Sequence, residues 1–468
     1  MSFYSWRSTL RSFLQHDGLP FANLLSEETI QQIADDVGVP RGQDDDGIVY
    51  TTAVTLWAFL SQVLFSKEQR SCRAAVARVI VLCVALGKEP CSDNTGAYCR
   101  ARARLPLVFI QRLTYHLADA AEARVPDKWL WMGRHVHLVD GATVSTPDTA
   151  RLQAVYPQPP AQKPGLGFPL IRMVVLLSLA TAMLGGMEMG PYTGKETGET
   201  ALFRQLLGRL KRGDVVLADR YFCSYFMVAL LRGLGVDVVM RQHQCRRSDF
   251  RRGRRLGQGD HVVTWRRPQR PEWMDQETYE QMPESLEMRE VYVRVEQPGY
   301  RVESLVVVTT LTDADAYRQE EIAELYHRRW LVELDIRVLK STLGMDILRC
   351  KSPEMVAKEM WACLLAYNLI RQSMLQAAFS KDLSPRQLSF TAAMQKTAAS
   401  WIPLLMCDED RARALIDTHL GDMAKNIIGD RPNRVEPRAV KRRPKPHPLL
   451  TKPRAQARAE LIHGASVA

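Results

Sequence analysis

Residues 321–343, EIAELYHRRWLVELDIRVLKSTL, put charge where an ordinary helix would put its core. The stretch lacks Gly and Pro and is rich in helix formers, so it is predicted as one long helix. At about 100° per residue, Tyr326, Arg329, Glu333, Arg337 and Lys340 fall within roughly 60° of one another and make a polar stripe. Leu325, Val332, Ile336 and Leu339 border it on one side, and Trp330 and Leu334 on the other. Glu324, Arg328 and Asp335 take the opposite face. Charges hemmed in by apolar residues are costly unless something charged meets them. Either a metal ion and a phosphate chain meet this stripe, or Glu333 forms an internal ion-pair ladder with Arg329, Arg337 and Lys340.

Outward from the helix, the upstream chain alternates between two periodicities. HVHLVD (135–140), IRMVVLLSLA (171–180) and MLGGMEMGPY (183–192) are predicted strands, followed by helix GETALFRQLLGRL, strand DVVLAD (214–219), helix SYFMVALLRGLG and strand DVVMRQH. This order fits a mixed sheet flanked by helices, an α/β class, with Asp140 and Asp219 ending two of its strands. From about 243 to 300 the chain is crowded with Arg and Gly and then strand-like again, which reads as an inserted β-rich subdomain. Residues 1–128 are helical in pattern, with an acidic loop, QDDDGIV. Asn94 and Thr95 start a helix that crowds Arg100, Arg102 and Arg104, either a DNA-reading helix or the solvated face of a bundle. Downstream, residues 354–379 form a nearly all-round apolar helix that must be buried.

The totals set limits. A chain of 468 residues with 46% hydrophobic and 25% charged residues is globular and longer than one ordinary core. Its net charge of +11 and pI near 9.2 favour a polyanionic partner. From residue 431 onward, ten Lys or Arg face two Glu, so eight of those charges lie in a Pro-rich tail of extended type suited to phosphate contact. The most apolar run, residues 173–184, is too short to span a bilayer, and the N-terminus lacks the apolar block of a signal peptide, which implies a cytoplasmic protein. Nine cysteines without a C-x-x-C pair indicate neither a disulfide framework nor structural zinc. His243, Cys245 and His261 are close in sequence but read as chance neighbours, and Lys195 and Glu196 as a polar turn.

Two Asp at strand ends and a Glu on a helix packed against the same sheet can supply oxygen ligands to hard divalent cations. Two such ions about 4 Å apart can activate an attacking hydroxyl and stabilise the leaving oxygen of a phosphodiester. Separately, Asp140 could be a turn residue and Asp219 a helix cap. Together with the stripe they make a constellation.

Three motifs carry a resemblance: V-D-G-A-T around Asp140, L-A-D-R-Y-F around Asp219, and Y-(2)-R-(3)-E-(6)-K, which is Tyr326, Arg329, Glu333 and Lys340. Over about residues 130–380 the chain resembles bacterial insertion-element transposases of the insertion-sequence-four type. The resemblance implies an RNase H-like catalytic domain over 129–420, a helical DNA-binding domain over 1–128 and a basic tail over 421–468. It implies Asp140, Asp219 and Glu333 as catalytic metal ligands for two Mg²⁺ or Mn²⁺ ions, and Tyr326, Arg329 and Lys340 as phosphate-binding residues. The implied activity is cut-and-paste transposition: end cleavage, hairpin formation and opening, then strand transfer by the 3′-hydroxyl. The implied partners are double-stranded DNA, at terminal inverted repeats and target, and a second copy of the chain; neither a membrane nor a small-molecule substrate is expected. Arg337 lies outside the motif and is a supporting charge. Some relatives receive a flipped base on a tryptophan of the insertion; here Trp265 or Trp273 could serve, or both could simply pack a β domain. An RNase H-like nuclease or resolvase without strand transfer, and a catalytically inactive DNA-binding regulator, are the alternative functions.

Overall fold

The computed structural model describes residues 5–39, 48–294, 304–429 and 448–462. Its centre is one nine-stranded mixed sheet: β1 Val136–Ser145, β2 Leu170–Ser178, β3 Leu184–Pro191, β4 Val215–Ala218, β5 Asp237–Arg241, β6 Arg254–Gly257, β7 Asp260–Arg266, β8 Ser285–Arg294 and β9 Ser304–Thr309. The spatial order is β3-β2-β1-β4-β5-β9-β8-β7-β6. β4 runs parallel to β1, and β5 to β4, while every other neighbouring pair is antiparallel. The apolar run at 173–184 is most of β2 and the turn into β3, a central strand with both faces covered.

The alternation of side chains explains the two layers. Val139, Val174, Leu176, Val216, Ala218, Val238 and Met240 face a smaller core with the helices Glu199–Leu206 and Tyr225–Gly233. Leu138, Val175, Leu177, Leu217 and Val239 face the larger core. There the Pro353–Ser380 helix, buried nearly all round as its composition predicts, packs against the sheet side and against the N-terminal helices. Thr52–Leu64, Cys72–Ala85, Thr95–Arg104 and Leu107–Glu122 are helices within the region 1–128 that reads as helical in pattern. Asn94 caps the third as expected, its Oδ1 accepting the Gly96 N–H at 2.8 Å. Pro106 separates the last two, because the residue before a proline is disfavoured in helical conformation. One apolar cluster runs from Trp57 and Phe109 to Trp361 and Leu138, so the N-terminal helices and the sheet share a core.

Four features differ from the sequence reading. The strands expected to form a separate inserted subdomain instead prolong the main sheet, because β9 pairs directly with β5 (Val239 opposite Thr309) and β8, β7 and β6 follow it outward. This covers the apolar edge that β5 would otherwise expose. β1 does not end at Asp140 but continues to Ser145 along β2, so Asp140 marks the end of the β1–β4 ladder only. The single helix predicted over 321–343 is three pieces: Gln319–His327, Trp330–Arg337 and a π-helical turn Val338–Thr342. Arg329, Leu331 and Val332 bond three residues back, a tightened turn that a widened one follows, and neither is marked by Gly or Pro. The expected start of the basic tail at 421 falls inside the helix Glu409–Lys425. Residues 430–447 and 463–468 of that tail, and part of the acidic loop, lie outside the described residues. Among the described residues, no helix is long and apolar enough to cross a membrane.

Candidate active site

Parity places the two aspartates on one face. Leu138 faces the larger core, so Asp140 does too; Leu217 faces it, and so does Asp219 one residue beyond β4. Val139 stands opposite Ala218 in the parallel ladder, which sets Asp140 and Asp219 side by side just past its end. The helix Trp330–Arg337 lies on that face, held by Val332 and Ile336 in the same core. Three segments far apart in sequence therefore deliver Asp140, Asp219 and Glu333 to one region.

Arg329 ties two of them together. Its Nη2 donates to Glu333 Oε1 at 2.7 Å, and its Nη1 lies 3.9 Å from Asp140 Oδ2. Asp140 Oδ1 accepts the Gly141 N–H, and Asp219 Oδ1 accepts the Tyr221 N–H. Burial pushes the Asp140 carboxyl up to about 6; the Gly141 N–H and Arg329 oppose the rise, and the negative charges of Asp219 and Glu333 add to it. Tyr326 is buried beside Arg329, and burial raises its hydroxyl to about 12. Lys340 sits in the π-turn, half-buried, and forms no ion pair among the described residues, whereas Arg337 is exposed. The structure thus brings Tyr326, Arg329 and Glu333 to Asp140 and Asp219, with Lys340 about two turns further along the chain.

The raised Asp140 carboxyl has a stability consequence. The folded protein holds that proton more tightly than the unfolded chain, so folding is favoured by protonation below about 4. That advantage is lost as pH rises to about 6 and is absent above. Asp140→Asn is therefore expected to match the parent at pH 4 and to exceed it at pH 8, by at most about 3 kcal/mol. Urea unfolding at the two pH values, without divalent ions, measures it; a pH-independent difference would contradict the burial of this charge.

The rest of the stripe is not laid out as the helical projection suggests. Only the Leu325, Val332, Ile336 and Leu339 flank is core; Trp330 is 40% exposed. On the opposite face Asp335, expected among exposed charges, is buried at 3%. It accepts from Arg371 at 2.9 Å and from Arg386 at 2.9 Å, anchoring the glutamate's helix to the Pro353–Ser380 helix. Residue spacing along one helix gave no sign of these distant partners.

The two tryptophans of the inserted region both make packing contacts. Trp265 is buried with Arg246 over its ring at 3.8 Å, and Trp273 lies beneath Arg204 at 3.9 Å with its edge to Phe226. His261 is committed to the Arg252 carbonyl and Glu290, while Cys245 is exposed. Glu196 sits in the turn before the Glu199–Leu206 helix and pairs with Arg204, as a polar turn would. Of the N-terminal arginines, Arg100 and Arg104 are exposed, but Arg102 is buried against Phe59 and bonds Gln62 at 2.8 Å.

Beside Asp219 opens a cleft of about 460 Å³ lined by Arg172, Glu199, Arg220, Tyr221, His243 and Gln244. Arg172 and Glu199 escaped the sequence reading. Glu199 lies against Gly141, the residue after Asp140, and a small residue beside a candidate acid was the available signal. Burial raises the Glu199 carboxyl; Arg172 opposes this and Asp219 adds to it. Among the described residues no three Asp, Glu, His or Cys side chains form a ready-made metal cage.

The family model of the transposase DDE domain matches residues 131–369. The chain is 29% identical over 379 residues to the transposase InsG for insertion sequence element IS4 of Escherichia coli (strain K12), covering 76% of this chain and 78% of that protein. Over 65 residues it is 42% identical to the transposase for insertion sequence element IS421 of Escherichia coli, 14% of this chain and 18% of that protein. Among solved structures, the piggyBac transposase in a synaptic complex with hairpin DNA aligns with 89% of this chain and 85% of that chain, at 10% identity and a TM-score of 0.42.

Proposed function

The chain belongs to the transposase DDE domain family, and from that membership we propose that it is the cut-and-paste transposase of an insertion element, with Asp140, Asp219 and Glu333 as its acidic triad. The observation that carries the assignment of residues is Arg329 bridging Glu333 and Asp140 at the end of the β1–β4 ladder, with Asp219 alongside. The sheet order β3-β2-β1-β4-β5, with a helix bearing Glu333 across it, supports an RNase H-like catalytic body over 129–420.

The donor set suits hard cations. All three groups are carboxylates, and Mg²⁺ is commonly held by one or two carboxylates together with substrate phosphates and water, so a cage completed only by DNA fits an incompletely closed protein site. Two Mg²⁺ or Mn²⁺ ions bound there would lower the pKa of the attacking hydroxyl and stabilise the leaving oxygen. Arg329 and Lys340, as cations, and the Tyr326 hydroxyl, as a hydrogen-bond donor, hold the phosphates next to the scissile bond. Once a phosphate competes for Arg329, Glu333 is released from its ion pair and free to turn toward Asp140. The order of chemistry is a nick that frees a 3′-hydroxyl, attack of that hydroxyl on the opposite strand to give a hairpin, opening of the hairpin by water, and joining of the same hydroxyl to target DNA. In each step one P–O bond forms as another breaks.

The N-terminal helices over 1–128, with Arg100 and Arg104 exposed on the Thr95–Arg104 helix, contact the terminal inverted repeats, and the basic segment over 421–468 adds contacts to phosphates. Two ends must be held together, so the working form is a homodimer on DNA, acting in the bacterial cytoplasm at the nucleoid.

Purified protein incubated with a duplex carrying the inverted repeat that flanks its own gene, a plasmid target and Mg²⁺ is expected to give end cleavage followed by plasmid-joined product. Cleavage without joined product would replace this reading with a nuclease or resolvase. Binding with neither product would make the chain a DNA-binding regulator.

A further inference from the structure

The triad occupies one face of the sheet, and a fourth carboxylate approaches Asp219 from the other face. Glu199 is the first residue of the helix Glu199–Leu206, whose Leu202, Phe203 and Leu206 pack in the smaller core. Gly141 faces that side, because it alternates with Asp140. A Cβ on Gly141 would come within 2.6 Å of Glu199 Cγ and closer still to its carboxyl carbon and one oxygen, so the carboxyl group fills the space that only glycine leaves. From there it borders the cleft that Asp219 also lines.

Its place in the first turn of its helix and the charge of Arg172 across the cleft favour a carboxylate there, but neither holds it by a hydrogen bond. Among the described residues, none donates a hydrogen bond to the Glu199 carboxylate or forms a close ion pair with it, and Arg172 acts on it by charge alone. Arg172, across the same cleft, gives one guanidinium nitrogen to the Thr197 carbonyl at 2.9 Å and stacks on Tyr192 at 4.6 Å, while its Nε is buried with no acceptor. A half-buried acid without a donor and a buried N–H without an acceptor, both on a cleft beside Asp219, call for a ligand that carries positive charge at one end and anionic oxygen at the other. A divalent cation with phosphate oxygens and water around it has that distribution.

We propose that Glu199 is a fourth acidic ligand of the cation site, holding on the Asp219 side an ion or its bound water, with Gly141 kept small to admit it. The inference rests on the triad assigned above. Arg172 then faces the phosphate oxygens of the same assembly.

The test uses the full chain and Mn²⁺ alone as probe, with bound and free ion measured by electron paramagnetic resonance in the presence of an end duplex. Glu199→Gln, nearly isosteric, is expected to weaken binding of one Mn²⁺ by roughly tenfold, as fits loss of one charged ligand, while thermal unfolding in chelator stays unchanged or rises. Gly141→Ala should push the flexible carboxyl aside and produce a similar loss, and the double variant should be no weaker than either single one, because both remove the same contact. Glu333→Gln is the reference. If it weakens Mn²⁺ binding and Glu199→Gln does not, the fourth ligand is refuted and the triad stands. If neither weakens it, the triad assignment itself falls.

Discussion

Glu333→Ala is expected to abolish Mg²⁺-dependent cleavage of element ends, by about 10³-fold or more, while end binding changes by no more than about twofold. Such a loss corresponds to at least about 4 kcal/mol of transition-state stabilisation, the scale expected when a metal site loses a charged ligand. Binding is spared because most of the DNA affinity comes from phosphate contacts spread over a chain of net charge +11. Removing Glu333 also frees Arg329 from its 2.7 Å partner and leaves it available to phosphate. Gel-shift and cleavage assays on the same end duplex separate the two effects. Cleavage at the parental rate would remove Glu333 from the site.

The second large effect concerns stability. Asp335 stands two residues beyond Glu333, yet its side chain points the other way, into a buried triad with Arg371 and Arg386. Asp335→Asn leaves two buried guanidinium groups without their counter-charge, and a cost of about 3–5 kcal/mol is expected. Arg371→Met in that background should recover part of the loss, since it removes one of the orphaned charges. Denaturant unfolding of the two single variants and the double variant gives the coupling. Additive losses would mean that the three groups do not act as a unit.

These two carboxylates show where sequence reasoning held and where it stopped. The strands and helices that bring Asp140 and Asp219 to one side follow from periodicity, since apolar runs and turn residues are local signals. The separation of Tyr326, Arg329, Glu333 and Lys340 was legible because all four lie on one stretch of chain. Asp335 was misplaced because its solvation depends on Arg371 and Arg386, which only the packing of another helix supplies. The break between His327 and Trp330 and the π-turn after Arg337 had no Gly or Pro to announce them. The joining of β5 to β9 across the inserted residues was likewise hidden, because register between strands of distant sequence is set by the faces they share. Glu199 was invisible for the same reason: it starts a helix, and its neighbour Gly141 belongs to a strand distant in sequence.

The β5–β9 pair has one further implication. Arg241 and Val307 face each other across an antiparallel ladder, so the chain departs from the end of β5 and comes back beside it at almost the same point, after adding β6, β7 and β8 to the outer edge of the sheet. In length, that excursion is a free variable. A chain that kept β5 and β9 could shorten it toward a tight hairpin or enlarge it with new strands, and neither change would shift Asp140, Asp219 or the helix of Glu333. The sheet thus offers a docking port for inherited variation, at which accessory parts can be gained or discarded while the chemistry beside them is left in place.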